Sequence, residues 1–264
     1  MIELKGIFAA SLSILKNDLS LDIDNTIKHA ENVIDMGCHG AVFFGSTGQS
    51  QLISLSEKIQ LINQLPSSKY RDKFIIGTGL NSLADNINLI KISKSMNFNT
   101  FLIMPPAYYK YDDSDVINFY SKIIAEVNDC KIILYNFEKL SGYKFSPECI
   151  ETLVKKFPDQ IVGVKDSSYN LFETLKIKNF AIFPGSESQC KNVQIRNTQN
   201  SGKQLSGGSG RHVVCQYNQP GLHNGDIIPS VNGNIIIKNR GVVSFKVWAK
   251  GPLFPQKFSC QTIR

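Results

Sequence analysis

The 264-residue chain is poor in the features that mark several common classes of protein. It has one tryptophan, four histidines and six cysteines (38, 130, 149, 190, 215 and 260), and no two cysteines form a C-x-x-C pair. That spacing offers neither a zinc site nor a disulfide framework, and scattered thiols fit a reducing, cytoplasmic setting. No apolar run is long enough to span a bilayer. The stretch "GIFAASLSIL" (6–15) has the length of a signal-peptide core, but a helical pattern follows so closely that a first strand is the better reading. No G-x-G-x-x-G follows that strand, which weakens a dinucleotide-binding sheet. Acidic residues are nearly absent from one region: residues 188–264 hold ten Lys/Arg against the single acid Asp226. The formal net charge of +7 therefore comes from this tail, because residues 1–187 carry 19 basic and 21 acidic side chains. The body gives no electrostatic sign of a nucleic-acid partner. In the tail the basic residues are spread out and Tyr217 and Trp248 stand isolated, so none is expected there either.

What the chain does have, up to residue 187, is a regular alternation. Short runs rich in Ile, Val and Phe read as strands buried on both faces: 6–14, 40–45, 74–80, 100–106, 131–136, 161–166 and 181–185. Helical patterns fill the gaps. Ile23, Ile27, Ala30 and Ile34 recur on one helical face, and Gly37 is placed to stop that helix. Ser54-x-x-Glu57 is a capping-box pattern, Ser82-x-x-Asp85 resembles one, and Ser146-Pro147 suits an N-cap and first helical position. Seven strands and six helices in one sense imply parallel pairing, with a closed (β/α)8 TIM barrel as the natural container and an open doubly wound sheet second. An eighth strand has only two candidates, "HVVCQY" (212–217) and "NIIIKN" (234–239). We divide the chain into a catalytic barrel domain, 1–187, and an atypical basic tail, 188–264, rich in Gly, Asn and Gln.

In such barrels the working groups stand at the C-terminal ends of strands. Those ends carry Gly45-Ser46-Thr47-Gly48, then Tyr108 and Tyr109 after two prolines, then Tyr135, then Lys165. Strands 5 and 6 are neighbours in the expected order, so Tyr135 and Lys165 can face one another. A lysine among apolar residues is poised to lose its proton, and the free amine condenses with a ketone to give a Schiff base. The imine draws electrons from the adjacent carbon, and a tyrosine hydroxyl can shuttle the protons that the reaction needs. The Gly-Ser-Thr-Gly turn offers backbone N–H groups and two hydroxyls to a carboxylate. Taken singly, Lys165 also suits a solvated loop, Tyr135 a half-buried core position, and the turn an ordinary one. A barrel that merely holds a keto acid is the rival reading from a different class.

Together, "FFGSTGQS", "ILYNFEKLSG" and "GVKDSS" give residues 5–187 a resemblance to the dihydrodipicolinate synthase / N-acetylneuraminate lyase family of pyruvate-dependent class I aldolases. The resemblance implies a (β/α)8 barrel with further C-terminal helices, commonly a homotetramer built as a dimer of dimers. It implies Lys165 as the Schiff-base nucleophile, Tyr135 as acid/base, and Ser46 in the proton relay. Ser46, Thr47 and Gly48 would hold the pyruvate carboxylate, and Glu187 is added to the substrate-binding candidates. Either Tyr108 or Tyr109 would reach into a neighbouring subunit's site. No metal or organic cofactor is implied, and His29 and His39 are too few in 1–187 for a zinc-dependent aldolase.

Departures from the family pattern set the finer expectations. Leu140 stands where dihydrodipicolinate synthases usually carry an arginine for the second substrate's carboxylate, and leucine cannot make that bidentate clamp. The expectation is therefore cleavage or formation of a 2-keto-3-deoxy sugar acid, or a sialic-acid-like keto acid, with pyruvate as partner. 4-Hydroxy-tetrahydrodipicolinate synthesis is the alternative. Gln49 replaces a usual glutamate and Glu138 a usual proline, and neither removes a reacting group. Beyond residue 187 the family's helix, Gly-rich eighth strand and C-terminal helices are not legible. A reading frame lost near residue 190 would account for the charge jump and the vanished helical period, and an inactive product would then be a further alternative.

Overall fold

The computed structural model describes residues 2–167, 171–185, 227–230 and 233–236. Seven strands, β1 (Phe8–Ala10), β2 (Gly40–Phe43), β3 (Phe74–Gly77), β4 (Thr100–Ile103), β5 (Lys131–Asn136), β6 (Ile161–Asp166) and β7 (Ala181–Pro184), pair in chain order, every pair parallel. Helices lie in all six connections: α1 (Ile23–Asp35), α2 (Leu55–Gln64), α3 (Leu83–Ser95), α4 (Asp113–Glu126), the short α5 (Glu138–Ser141) followed by α6 (Pro147–Lys156), and α7 (Leu171–Thr174). The sheet curls far enough for the rings of Phe8 on β1 and Phe183 on β7 to meet edge to face, 6.4 Å between centroids. Among the described residues β1 and β7 do not pair with each other, so the sheet is an open, incomplete barrel.

Local chemistry sets the helix boundaries. Ser54 accepts from the Glu57 N–H and the Glu57 side chain returns to the Ser54 backbone, completing the expected capping box. Asp112 and Asp115 form a second box at the start of α4, which the sequence reading had not singled out. Ser82 caps α3 and Ser146 caps α6, with Pro147 at the first helical position. Gly37, at φ +107°, turns the chain out of α1 in a conformation that a side chain would resist.

Two apolar layers follow from the alternation of strand side chains. Phe8, Val42, Ile75, Leu102, Ile133 and Phe183 fill the interior, with Tyr135 in the same cluster. The intervening residues, such as Phe43, Ile76, Phe101, Leu134 and Val164, pack outward against Val33, Leu61, Leu89, Ile123 and Leu153 of the helices. Strand β6 gives the interior no aliphatic chain opposite Ile133; its partner there is Gly163, where a Cβ would stand 2.6 Å from the Ala181 carbonyl.

Two expectations change. The first strand is three residues long rather than nine: after Ala10 the chain leaves the sheet, and Ser13 and the Ile14 N–H bond instead to the Gly48 carbonyl and the Thr26 hydroxyl. The run 234–239 does not supply an eighth barrel strand. Its first residues lie in β9 (Gly233–Ile236), which pairs antiparallel with β8 (Ile227–Ser230) in a separate two-stranded sheet. The other candidate, 212–217, lies outside the described residues.

His29 on α1 is buried, and burial pushes its imidazole down to about 4. The unfolded chain takes up a proton near pH 6.5 that the folded chain refuses until about 4, so stability falls as pH falls through that window. Urea unfolding should therefore show a loss of about 2 kcal/mol between pH 7 and pH 5. A His29→Gln variant should lose clearly less. Equal losses in the two proteins would contradict this account.

Candidate active site

The pairing of β5 with β6 sets Tyr135 directly opposite Lys165 and Asn136 opposite Asp166. Successive side chains on a strand point to opposite faces, so the first pair faces the barrel interior and the second faces away. Lys165 is buried, 6% exposed, at the mouth of the interior cluster. Its Nζ lies 3.4 Å from the Tyr135 Oη and 4.4 Å from the centre of that ring. The same Oη is 2.8 Å from the Ser46 Oγ. Ser46, Tyr135 and Lys165 thus form one hydrogen-bonded chain drawn from the loop after β2 and from β5 and β6, along which a proton can pass.

The loop that carries Ser46 is tightly wound. Phe44, at φ +53°, and Gln49, at φ +51°, are both left-handed, an uncommon state for residues with side chains. The Gln49 N–H bonds to the Ser46 carbonyl and the Ser50 N–H to that of Gly45, closing the turn on itself. Thr47 is buried inside it. At Gly48 a Cβ would meet the Ser11 carbonyl oxygen at 2.8 Å, so glycine is what lets this turn approach the end of β1. The Gly45–Gly48 turn is thus held in a defined shape beside the tyrosine–lysine pair.

Other candidates are not brought together. Tyr108 and Tyr109 stack edge to face, 5.0 Å apart, but are 89% and 67% exposed and do not join the buried group. Glu187 lies outside the described residues. Leu140 on α5 is exposed.

Sequence reasoning missed a supporting network on the outer side of the same strands. The Asn136 amide donates to Asp166 (3.0 Å) and its carbonyl accepts from the Phe145 N–H (3.1 Å). Asp166 also accepts from the Leu171 N–H (2.9 Å). Both side chains are fully buried. Each follows a reacting candidate by one residue, in "YN" and "KD", and that adjacency was the available signal. Lys58, a fully buried lysine on α2, was also missed.

The dihydrodipicolinate synthetase family model matches residues 3–195. The chain belongs to that family. Membership sets it in the superfamily of pyruvate-dependent class I aldolases that its motifs resemble. The chain is 29% identical over 195 residues to the 4-hydroxy-tetrahydrodipicolinate synthase of Karelsulcia muelleri, covering 71% of this chain and 65% of that one. It is 35% identical over 170 residues to the synthase of the same name from Listeria monocytogenes, covering 61% and 57%. It spans less than two thirds of the length of these curated relatives. Among solved structures, the Methylacidiphilum fumariolicum 4-hydroxy-tetrahydrodipicolinate synthase superposes with a TM-score of 0.68 at 23% identity, covering 80% of this chain and 67% of that one. The 2-keto 3-deoxygluconate aldolase of Picrophilus torridus gives 0.66 at 22%, covering 80% and 74%. At such identities the likeness shows a shared fold, and proteins named for different activities share it.

Replacing Asn136 by alanine leaves the Phe145 N–H and one Asp166 oxygen without that partner in a buried setting. The urea midpoint should fall by the equivalent of about 2 kcal/mol. A neutral effect would show that the network is dispensable.

Proposed function

We propose that the chain is a Schiff-base lyase that makes or breaks a carbon–carbon bond through a pyruvate enamine on Lys165. The observation that carries this reading is the Tyr135 hydroxyl standing between the Ser46 hydroxyl and the Lys165 amine. The neutral amine attacks C2 of pyruvate and forms a C–N bond. The oxygen leaves as water, carrying one proton from the amine nitrogen and one from Tyr135. The resulting imine is protonated, which acidifies the C3 protons. Loss of one gives an enamine whose C3 attacks an aldehyde carbon, the new alkoxide takes a proton, and water releases the product from the lysine. Ser46 links Tyr135 to the cradle, so proton traffic and carboxylate binding share one hydroxyl. Thr47 and Gly48 complete that cradle. Every step uses pyruvate, the aldehyde, water and the chain's own side chains.

For the aldehyde, the similarity to the Karelsulcia and Listeria 4-hydroxy-tetrahydrodipicolinate synthases favours that synthesis, with aspartate semialdehyde as the partner. A second reading, a sugar-acid aldolase, is favoured by Leu140, which offers no charge to a second carboxylate. We further read 1–187 as the catalytic unit, and propose assembly through the exposed Tyr108–Tyr109 pair, either of which would serve a neighbouring subunit.

Borohydride reduction in the presence of pyruvate, followed by intact mass and peptide mapping, should place one reduced pyruvate adduct on Lys165. Lys165→Ala should abolish it. Tyr135→Phe should slow adduct formation by about a hundredfold or more. Folded protein that gives no adduct would overturn the reading and leave an inactive barrel. With the adduct in hand, robust turnover of aspartate semialdehyde supports the synthase, and turnover of 2-keto-3-deoxy sugar acids alone supports the aldolase.

A further inference from the structure

Lys58 has no place in the reaction above, yet it is fully buried. Its ammonium donates to the carbonyls of Thr78, at 2.7 Å, and Gly79, at 3.4 Å, which directly follow β3. It also lies 5.7 Å from the centre of the Phe44 ring, within reach of a cation–π contact. Burial pushes the amine down to about 8, so keeping a charge here is costly. A lysine used only to fill space would be replaced at less cost by an apolar chain.

What it grips explains the cost. The segment Gly77–Gly79 is pressed against the start of the loop that carries Ser46. A Cβ on Gly77 would stand 2.6 Å from the carbonyl oxygens of both Phe43 and Phe44. One on Gly79 would stand 2.2 Å from the Ser50 Oγ, and Gly79 is itself left-handed at φ +55°. The β3 terminus thus braces both ends of the loop: Phe44, whose left-handed backbone starts the turn, and Ser50, which ends it. Lys58 holds the brace through two backbone carbonyls and touches Phe44 through its ring. Ser46, two residues after Phe44, must sit within hydrogen-bond reach of Tyr135.

We infer that Lys58 is a positioning residue for the pyruvate site, fixing the Gly45–Gly48 cradle and the Ser46–Tyr135 contact through the end of β3. This rests on the Schiff-base reading and adds to it a residue on α2 that touches no reacting atom. The effect expected on its removal is weaker pyruvate binding more than slower chemistry once pyruvate is bound.

The test measures borohydride trapping across a range of pyruvate concentrations, which yields a half-saturating concentration and a plateau. Lys58→Met removes the donor at similar length, and Lys58→Gln keeps a neutral one. Half-saturation should rise by about tenfold in Lys58→Met and by less in Lys58→Gln, with most of the plateau retained in both. A merely structural lysine would lower the plateau, by reducing the folded fraction, and leave half-saturation unchanged. That result would overturn the inference while sparing the Schiff-base reading. Far-ultraviolet circular dichroism and a urea midpoint on each variant separate loss of fold from loss of positioning: a Lys58→Met that is unfolded while Lys58→Gln binds pyruvate normally also overturns it. Absence of any adduct in the unaltered protein would remove both proposals together.

Discussion

The parallel register between β5 and β6 is the constraint on which the candidate site depends. One pairing puts Tyr135 beside Lys165 on the inner face and Asn136 beside Asp166 on the outer face. A slip of one residue would turn the lysine toward the helices and the carboxylate into the interior. The outer pair resists such a slip, because Asn136 and Asp166 bond to each other and to backbone N–H groups of Phe145 and Leu171 in the segments that follow each strand. A buried amide and a buried carboxylate are tolerable only when so satisfied. The same bonds that make them tolerable hold the inner pair at its 3.4 Å separation.

Two kinds of support therefore meet at the tyrosine hydroxyl. From the β5–β6 side the support is side-chain hydrogen bonding. From the β2 side it is backbone shape: two left-handed residues, a glycine packed on the Ser11 carbonyl, and the glycine-rich end of β3 pressed against Phe44. Backbone strain of this kind persists only where the surroundings over-determine it. Here they do so next to the groups proposed to react.

Most of this was legible in the sequence, for identifiable reasons. All seven strands were found because strands buried on both faces are short, continuous apolar runs, and β5 and β6 matched to the residue. Serine caps were visible because a capping oxygen must precede its helix at a fixed spacing. Strand ends were less visible: Ser13 looks like part of a continuing strand until the loop at Gly48, 35 residues away, takes its hydrogen bond. Lys58 escaped notice because its pattern is that of a solvated helix residue, and only the fold reveals the carbonyls that it meets. Tyr108 and Tyr109 looked like site residues from their place after β4, but within one chain they remain on the surface. The run 234–239 has the apolar content of a barrel strand, and composition cannot distinguish that from a strand of a separate antiparallel pair.

Tyr135 belongs to the interior packing cluster as well as to the hydrogen-bonded chain. The acid/base candidate is thus also a structural plug, with its ring against Phe137, 6.0 Å between centroids, and its hydroxyl at the rim. Leu140, proposed to bear on the choice of aldehyde, has no such double duty, since it stands exposed on the four-residue α5. On the proposed reading, drift in substrate preference can proceed on one side by single surface exchanges, while the side proposed to hold pyruvate is frozen by the architecture. A lineage built on this scaffold would diversify in what it joins to pyruvate long before it abandoned pyruvate itself.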